Sequence, residues 1–359
     1  TISGPVIMAD GASLIIGEGV TIKAIATGAD VYIAISQGAQ IIANGTAANP
    51  IVMTSGSANP EAGQWGGLII LGKAPINSVT GNATSTSEIG SLPYGGTETS
   101  DSSGIIRYVR VEYSGGAADG SSENNGFSFY GVGAGTTVEY IQAYEGADDG
   151  IEFFGGSTNA RYIVLSGNAD DSLDWTDGWT GNIQYLYMEQ SDSGDNLIEA
   201  DNREGDENAM PRSLPSISNM SGYGLAGENG LRFRRGTGIH LTNSFVVDAG
   251  SCLRIGGESR NLLGGDLTIA GTSFGCTETH ADDDDGAVQI ATAIDGNRNV
   301  LDGLRWRLFA VGAGVAMIGA VSALWIMRRV TRPLEELTPT IRPLEPFRKK
   351  INLITAMDR

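Results

Sequence analysis

Apolar and polar residues alternate in short runs through most of the chain, and Gly, Asn and Asp separate the runs. Such runs are typical of β-strands that bury one face, and no amphipathic helical segment lies between them. One phrase, a polar pair followed by such a run, recurs mostly at intervals of 22 to 25 residues. Its copies occupy residues 123–131, 148–156, 170–178, 194–202 and 227–236. This repeat predicts a solenoid in which each turn packs on its neighbours.

A second strand precedes each of the first four copies, which gives two strands per turn. It carries a tyrosine at the same position in these four turns: Tyr108, Tyr140, Tyr162 and Tyr185. Equivalent positions of a parallel β-helix stack about 4.7–4.9 Å apart, so we expect a tyrosine ladder. The preceding column mostly alternates in charge, with Arg107, Glu139, Arg161 and Gln184. Opposite charges on neighbouring strands stabilise a sheet modestly.

The expected β-helix domain covers residues 1–299. Its first turns contain residues 15–24 and 34–43, which superpose with an offset of 19 residues. Two segments leave the repeat. Residues 77–104 are rich in Ser, Thr and Gly, and residues 203–213 interrupt the period, so both are predicted to be loop excursions.

The sequence changes character near its C-terminus. Residues 308–327 are 20 consecutive uncharged residues between arginine clusters. This length suffices to span a bilayer as a helix, although a buried core helix is the alternative. The richer basic flank follows, which predicts a transmembrane segment at 304–330 and a basic, Pro-containing cytoplasmic tail at 331–359. The β-helix would then be extracytoplasmic, in the periplasm or at the cell surface, and the abrupt change also fits a fused tail.

Charge and cysteine content restrict the functions further. The chain has a net charge of −19, and residues 1–303 hold 13 basic and 38 acidic residues. This excess excludes a nucleic-acid partner and favours cations or basic partners. Cys252 and Cys276 lie about one turn apart, within disulfide reach if they occupy adjacent strands. The alternative is two small buried residues.

Stacked acidic residues are the main site candidates. In the repeat register the predicted Ca²⁺ ligands are Asp148, Asp149, Asp170, Asp171 and Asp195. Stacked carboxylates repel unless solvated, protonated or bridged by a cation, and Ca²⁺ prefers such hard oxygen ligands. The alternative is that these residues form turns and bond the backbone. A further column holds Glu152, Asp174 and Glu199, and continues with Arg232 and Arg254.

Aromatic and paired acidic residues suggest carbohydrate chemistry. Trp175 and Trp179 beside Asp174 and Asp177 form a candidate neutral-sugar site, unless the indoles fill the solenoid interior. The acidic pairs could act as a general acid and base. Against catalysis, the two histidines lie outside the acidic turns, and an anionic substrate would be repelled there.

The phrases at 63–72, 148–156 and 170–181 resemble a family of poorly characterised, secreted or lipid-anchored bacterial β-helix proteins. The resemblance covers residues 15–290 and implies a right-handed parallel β-helix at the surface or in the periplasm, but brings no catalytic residues. The segment after residue 304 departs from that family, and residues 328–338 are similar to the start of a HAMP linker. The expected fold is therefore an all-β, right-handed parallel β-helix followed by one C-terminal transmembrane helix.

Two functions remain open at this point. The first is a non-catalytic scaffold or adhesion module anchored in the membrane, such as an accessory subunit of a membrane complex. Its partners would be the membrane, other subunits, a glycan or a cell-surface protein, and Ca²⁺ is the one candidate cofactor. The alternative is a surface protein that binds or degrades polysaccharide. A groove walled by residues 77–104 and 203–213 and holding a bound sugar would favour the alternative, whereas a rod with covered or stacking ends would favour the scaffold.

Overall fold

The computed structural model describes residues 1–117 and 123–282. The expected transmembrane segment at 304–330, the tail at 331–359 and the end of the β-helix domain at 283–299 lie outside these residues. Within the described ranges, no helix has the length and apolar character needed to cross a membrane. The expectations about membrane anchoring therefore stay predictions.

The described chain winds between two large sheets, which we call sheet A and sheet B. Sheet A contains β2 (Ser13–Ile16), β3 (Thr21–Ala24), β5 (Gln40–Asn44), β6 (Ile51–Ser55), β10 (Gly104–Glu112), β12 (Thr137–Tyr144), β14 (Ala160–Ser166), β16 (Asn182–Glu189), β18 (Ser216–Tyr223), β20 (Ile239–Thr242), β21 (Phe245–Val247), β23 (Leu267–Ala270) and β24 (Ser273–Gly275). Sheet B contains β1 (Val6–Met8), β4 (Ile33–Ile35), β7 (Leu68–Leu71), β11 (Phe127–Tyr130), β13 (Ile151–Phe154), β15 (Leu173–Thr176), β17 (Asn196–Ala200), β19 (Asn229–Phe233), β22 (Ser251–Ile255) and β25 (Ala281–Asp282). The remaining elements are β8 (Ser85–Thr86), β9 (Pro93–Tyr94) and a 3-10 helix at Gly257–Leu262.

Every strand pair within sheets A and B is parallel, and β8–β9 is an antiparallel pair. The long strands of sheet A alternate along the chain with the short strands of sheet B, so each turn contributes to both sheets. This arrangement confirms the predicted parallel β-helix. Apolar side chains fill its interior because each strand turns alternate residues inward. Ile106 and Val138 from sheet A and Phe153 from sheet B are fully buried there.

The tyrosine ladder is confirmed on sheet A. Successive ring centroids of Tyr108, Tyr140, Tyr162 and Tyr185 lie 4.4, 4.4 and 5.0 Å apart, with near-parallel planes. All four residues have φ between 49° and 62°, the left-handed region that bulky side chains rarely adopt. Asn219 and Asn243 continue the column with similar φ. The ladder therefore marks a corner within each long strand, and ring stacking helps to offset its backbone cost.

The excursion at 77–104 packs against the outer face of sheet B instead of projecting into solvent. Ile89, Leu92 and Tyr94 join Ile76 in covering Tyr130 and Phe154. This second apolar cluster lies outside the solenoid interior and fixes the excursion in place, because buried apolar area stabilises packing.

The two excursions meet above sheet B. Asn77 donates hydrogen bonds from Nδ2 to Asn202 Oδ1 at 2.9 Å and to the Pro211 carbonyl at 2.8 Å. Arg203 Nη1 donates to the Asn77 carbonyl at 3.1 Å. Both excursions therefore border one edge of the outer face of sheet B.

Candidate functional site

The outer face of sheet B carries the acidic column that the repeat predicts. Glu152, Asp174 and Glu199 pair in register on β13, β15 and β17. The column continues with Arg232 and Arg254 on the next strands. Because these positions alternate with inward-facing apolar residues, the charges point away from the solenoid interior.

A second column lies where each short strand begins. The Asp149 carboxylate accepts a hydrogen bond from the Asp171 N–H at 2.9 Å, and Asp171 Oδ1 accepts from the Asn196 N–H at 2.7 Å. Asn196 Oδ1 in turn accepts from Asn229 Nδ2 at 2.9 Å. Asp149 and Asp171 therefore tie consecutive turns together, which agrees with the turn-forming alternative for these two residues.

The structure brings the five predicted cation ligands together. Ligand oxygens lie within 4.8 Å of one another in the triads Asp148–Asp149–Asp170 and Asp170–Asp171–Asp195. Ligand oxygens also lie within 4.8 Å of one another in the triads Asp149–Glu152–Asp174 and Asp171–Asp174–Glu199. We call these eight residues the acidic groove. Whether a cation binds there stays a prediction.

Burial and mutual repulsion strongly disfavour ionisation in the acidic groove. Burial, followed by the nearby carboxylates of Glu123 and Asp170, raises the pKa of Asp148 to about 8. Burial, followed by neighbouring carboxylates, holds the pKa values of Asp149, Glu152, Asp171 and Asp174 well above their usual range. Glu88 of the 77–104 excursion adds to the repulsion at Asp148 and Glu152. At neutral pH several of these groups must hold a proton or a cation.

Arginines compensate only one end of the acidic groove. Glu199 forms ion pairs with Arg232 at 3.0 Å and with Arg234. Asp201 pairs with Arg234 at 2.8 Å and Arg235 at 2.6 Å. On the neighbouring strand, Asp174 Oδ1 is buried and has no hydrogen-bond partner among the residues that the structure describes. The triad Asp149–Glu152–Asp174 is thus the best fit to a hard cation such as Ca²⁺.

The predicted tryptophan site for sugars is wrong. Trp175 and Trp179 are both fully buried inside the solenoid. The Trp179 ring stacks on Phe153 with centroids 4.1 Å apart, and its Nε1 donates to the Thr158 carbonyl at 3.2 Å. Trp175 Nε1 donates to Thr237 Oγ1 at 2.9 Å. The period of two along β15 turns Trp175 inward. Trp179 follows β15 and stacks on the inward-facing Phe153, so both rings fill the interior, as the alternative held.

The two acidic residues of that predicted sugar site have different surroundings. Asp174 belongs to the acidic groove, whereas Asp177 anchors the excursion. Its Oδ2 accepts hydrogen bonds from Ser78 Oγ at 2.6 Å and from the Tyr94 hydroxyl at 3.1 Å. We therefore assign Asp177 to holding the excursion over sheet B.

A disulfide joins Cys252 on β22 to Cys276, with the Cα atoms 5.4 Å apart. These residues lie 24 positions apart, close to one turn of the solenoid. The bond links neighbouring turns near the C-terminal end of the described β-helix. It lies apart from the acidic groove, so its role here is structural.

We expect the free energy of unfolding to decrease as the pH rises from about 5 to 8 in metal-free buffer. The groove carboxyls bind protons more tightly in the folded chain than their ordinary pKa of about 4 in the unfolded chain. Stability is therefore lost between that value and the raised pKa, which for Asp148 is about 8. Thermal midpoints across this range, with a chelator present, measure the effect.

A matched pair of variants assigns this pH effect to the groove. Asp174→Asn should raise the midpoint at pH 8, because it removes a carboxyl whose ionisation the folded chain disfavours, whereas exposed Asp192→Asn should not. A midpoint that rises with pH in the wild type would contradict the prediction. An increase in the midpoint at pH 8 on adding Ca²⁺, lost in Asp174→Asn, would support a cation site.

The chain belongs to the family of pectate-lyase-like β-helix domains, whose pattern matches residues 1–303. This agrees with the parallel sheets and with the β-helix that the sequence phrases imply. No curated protein and no solved structure matches the chain. Family membership thus establishes the fold. The chemistry of the acidic groove has to be inferred from the residues of the groove.

Sequence reasoning missed several groups that surround the acidic groove. Glu88 and Glu123 raise the pKa of Asp148, but neither belongs to the stacked columns. Arg234 and Arg235 lie in the last copy of the recurring phrase, where their charge was a visible signal. Their pairing with Asp201 depends on which turns become neighbours, so only the structure reveals it.

Proposed function

We propose that the protein hydrolyses a polysaccharide in the acidic groove on the outer face of sheet B. One observation carries the proposal: a carboxyl with a strongly raised pKa, Asp148, lies beside the more accessible Asp170, next to an excursion that bounds the sheet face. Glycosidases commonly use two carboxyl groups whose surroundings separate their protonation states.

Asp148 and Asp170 receive distinct roles in this proposal. Asp148 is 8% exposed and keeps its proton at neutral pH, so it donates that proton to the glycosidic oxygen. Asp170 is more exposed and serves as the carboxylate partner. Their oxygens lie within 4.8 Å, nearer the ~5–5.5 Å spacing of retaining glycosidases than the wider spacing of inverting ones. Asp170 would therefore act as the nucleophile.

The charge of the acidic groove favours a neutral polymer. Carboxylates dominate its Asp148–Asp174 end, and an anionic sugar chain would be repelled there. The arginines at the other end are held in ion pairs with Glu199 and Asp201. Uncharged sugars interact with such a surface through their hydroxyl groups, which both donate and accept hydrogen bonds.

A panel assay tests the proposed function. Wild-type protein is incubated with purified neutral polysaccharides, namely xylan, mannan and β-glucan, and with polygalacturonate as the anionic comparator. We expect release of reducing ends from at least one neutral polymer, with the rate falling as the pH rises past about 8 and Asp148 loses its proton. Absence of product from the whole panel, or cleavage of polygalacturonate alone, would contradict the proposal.

A cation-stabilised scaffold is the second candidate function. The buried, unpartnered Asp174 Oδ1 supports it, because a hard cation would satisfy that atom and screen the stacked charges. Under this second candidate function, the β-helix is the membrane-anchored scaffold or adhesion module that the sequence also predicts. A protein that gains stability from Ca²⁺ at pH 8 but cleaves no member of the panel would favour this candidate.

A further inference from the structure

The outer face of sheet A carries a second groove, on the other sheet from the acidic groove. It encloses about 430 Å³, within the range of small-molecule sites, and crosses β12, β14, β16 and β18. The side chains that face it are mainly hydroxyls and amides: Thr137, Asn159, Asn182, Gln184, Ser216 and Ser218. We call it the sheet A groove.

The hydrogen-bonding capacity of the sheet A groove is largely unused within the protein. Asn159 Oδ1 accepts from the Asn182 backbone at 3.0 Å and from Asn182 Nδ2 at 2.6 Å. The side chains of Gln184, Ser216 and Ser218 form no hydrogen bond with another residue that the structure describes. The groove thus presents donors and acceptors together, the pattern that sugar hydroxyls match.

The charges in the sheet A groove compensate one another. Glu139 forms ion pairs with Arg107 and with Arg161, the latter at 2.6 Å. These charges are therefore engaged within the protein and attract a charged ligand only weakly, which disfavours nucleic acid and other polyanions. The strands beneath are paired on both sides, so an extended peptide cannot add to a sheet edge here.

An exposed aromatic ring comes directly after Gln184 in the chain. Tyr185 is 41% exposed and stacks on Tyr162 on one side, while the next position in its column is Asn219 instead of another ring. The last ring of the ladder therefore lies on β16, one of the four strands that the sheet A groove crosses. An aromatic surface beside hydroxyl and amide groups is the usual chemistry for stacking a neutral sugar.

We propose that the sheet A groove binds a neutral oligosaccharide without cleaving it. Gln184, Ser218 and Asn159 bond the sugar hydroxyls, and Tyr185 supplies the apolar contact. This surface would hold a polysaccharide on the opposite sheet from the acidic groove. The inference rests on its own residues and does not require the proposed hydrolysis.

Binding measurements with uncharged oligosaccharides test the proposal. The probes are xylo-, manno- and cello-hexaose, measured by calorimetry on the Asp148→Asn background so that no cleavage occurs. Gln184→Ala and Tyr185→Ala should each weaken binding about fivefold to tenfold, the loss expected for one buried hydrogen bond or ring contact. Ser218→Trp, which fills the sheet A groove, should remove the binding at this groove and leave any binding in the acidic groove unchanged. Ser221→Ala, elsewhere on the outer face of β18, serves as the control.

The outcomes separate this proposal from the hydrolysis. The sheet A variants are also made in protein that keeps the wild-type Asp148, where they should cleave a short soluble substrate at an unchanged rate. That result, together with their loss of oligosaccharide binding, supports a separate binding surface. If none of the three hexaoses binds, or if the Gln184, Tyr185 and Ser218 variants bind as the wild type does, the proposal is wrong. Loss of binding in Ser221→Ala of the same size would also contradict it.

Discussion

We expect the replacement of Asp148 with Asn to lower the rate of the proposed polysaccharide hydrolysis by about 10²–10⁴-fold, the usual contribution of a general acid. Asn keeps the shape of the side chain and cannot donate a proton to a leaving glycosidic oxygen. The measurement is the release of reducing ends from the neutral polymer that the wild type cleaves best. Thermal melting of the same sample shows whether the variant remains folded.

Two further variants sharpen the test. Asp170→Asn should abolish turnover to a similar extent, because it removes the proposed nucleophile. Asp192→Asn changes an exposed aspartate outside the acidic groove and should leave the rate unchanged. If Asp148→Asn retains the full rate while it stays folded, the assignment of Asp148 as proton donor is wrong.

Replacing Trp179 with Ala is expected to lower the free energy of unfolding by about 3–5 kcal/mol, the usual cost of truncating a buried tryptophan. The ring is fully buried, and the cavity would remove its stacking on Phe153 and its hydrogen bond to the Thr158 carbonyl. Urea unfolding of wild type and variant measures the difference.

The exposed Met210 provides the control for this prediction. It is 73% exposed, so Met210→Ala should change the free energy of unfolding by no more than about 0.5 kcal/mol. A Trp179→Ala protein as stable as the wild type would mean that the indole does not fill the core. A loss of sugar binding without a loss of stability would restore the sugar-site interpretation.

The repeat-based part of the fold was predictable in detail. Residues that recur at one position of each turn have to stack, because parallel strands pair in register. The columns containing Tyr140 and Glu152 therefore follow from the spacing alone. The ion pairs of Glu139 with its arginine neighbours follow from the same register.

The first turns show where the spacing misleads. An offset of 19 residues would pair Ile15 with Ala34, but the structure pairs Ile15 with Ile42 in sheet A and places Ala34 in sheet B. Both sheets use short alternating strands after a glycine, so a similar pattern does not distinguish strands of the same sheet. Insertions that lengthen a turn hide the true period.

The sequence by itself determined the parallel β-helix, its ladders and the order of charges in each column, because a short-range repeat specifies stacking. Only the tertiary structure decided which of these columns form a site. The 77–104 excursion could lie on either face by its composition, and its contacts with Tyr130 and Phe154 place it beside the acidic groove. Packing likewise decided that Trp179 points inward, because its ring stacks on Phe153 while its local sequence reads equally well as a surface or a core.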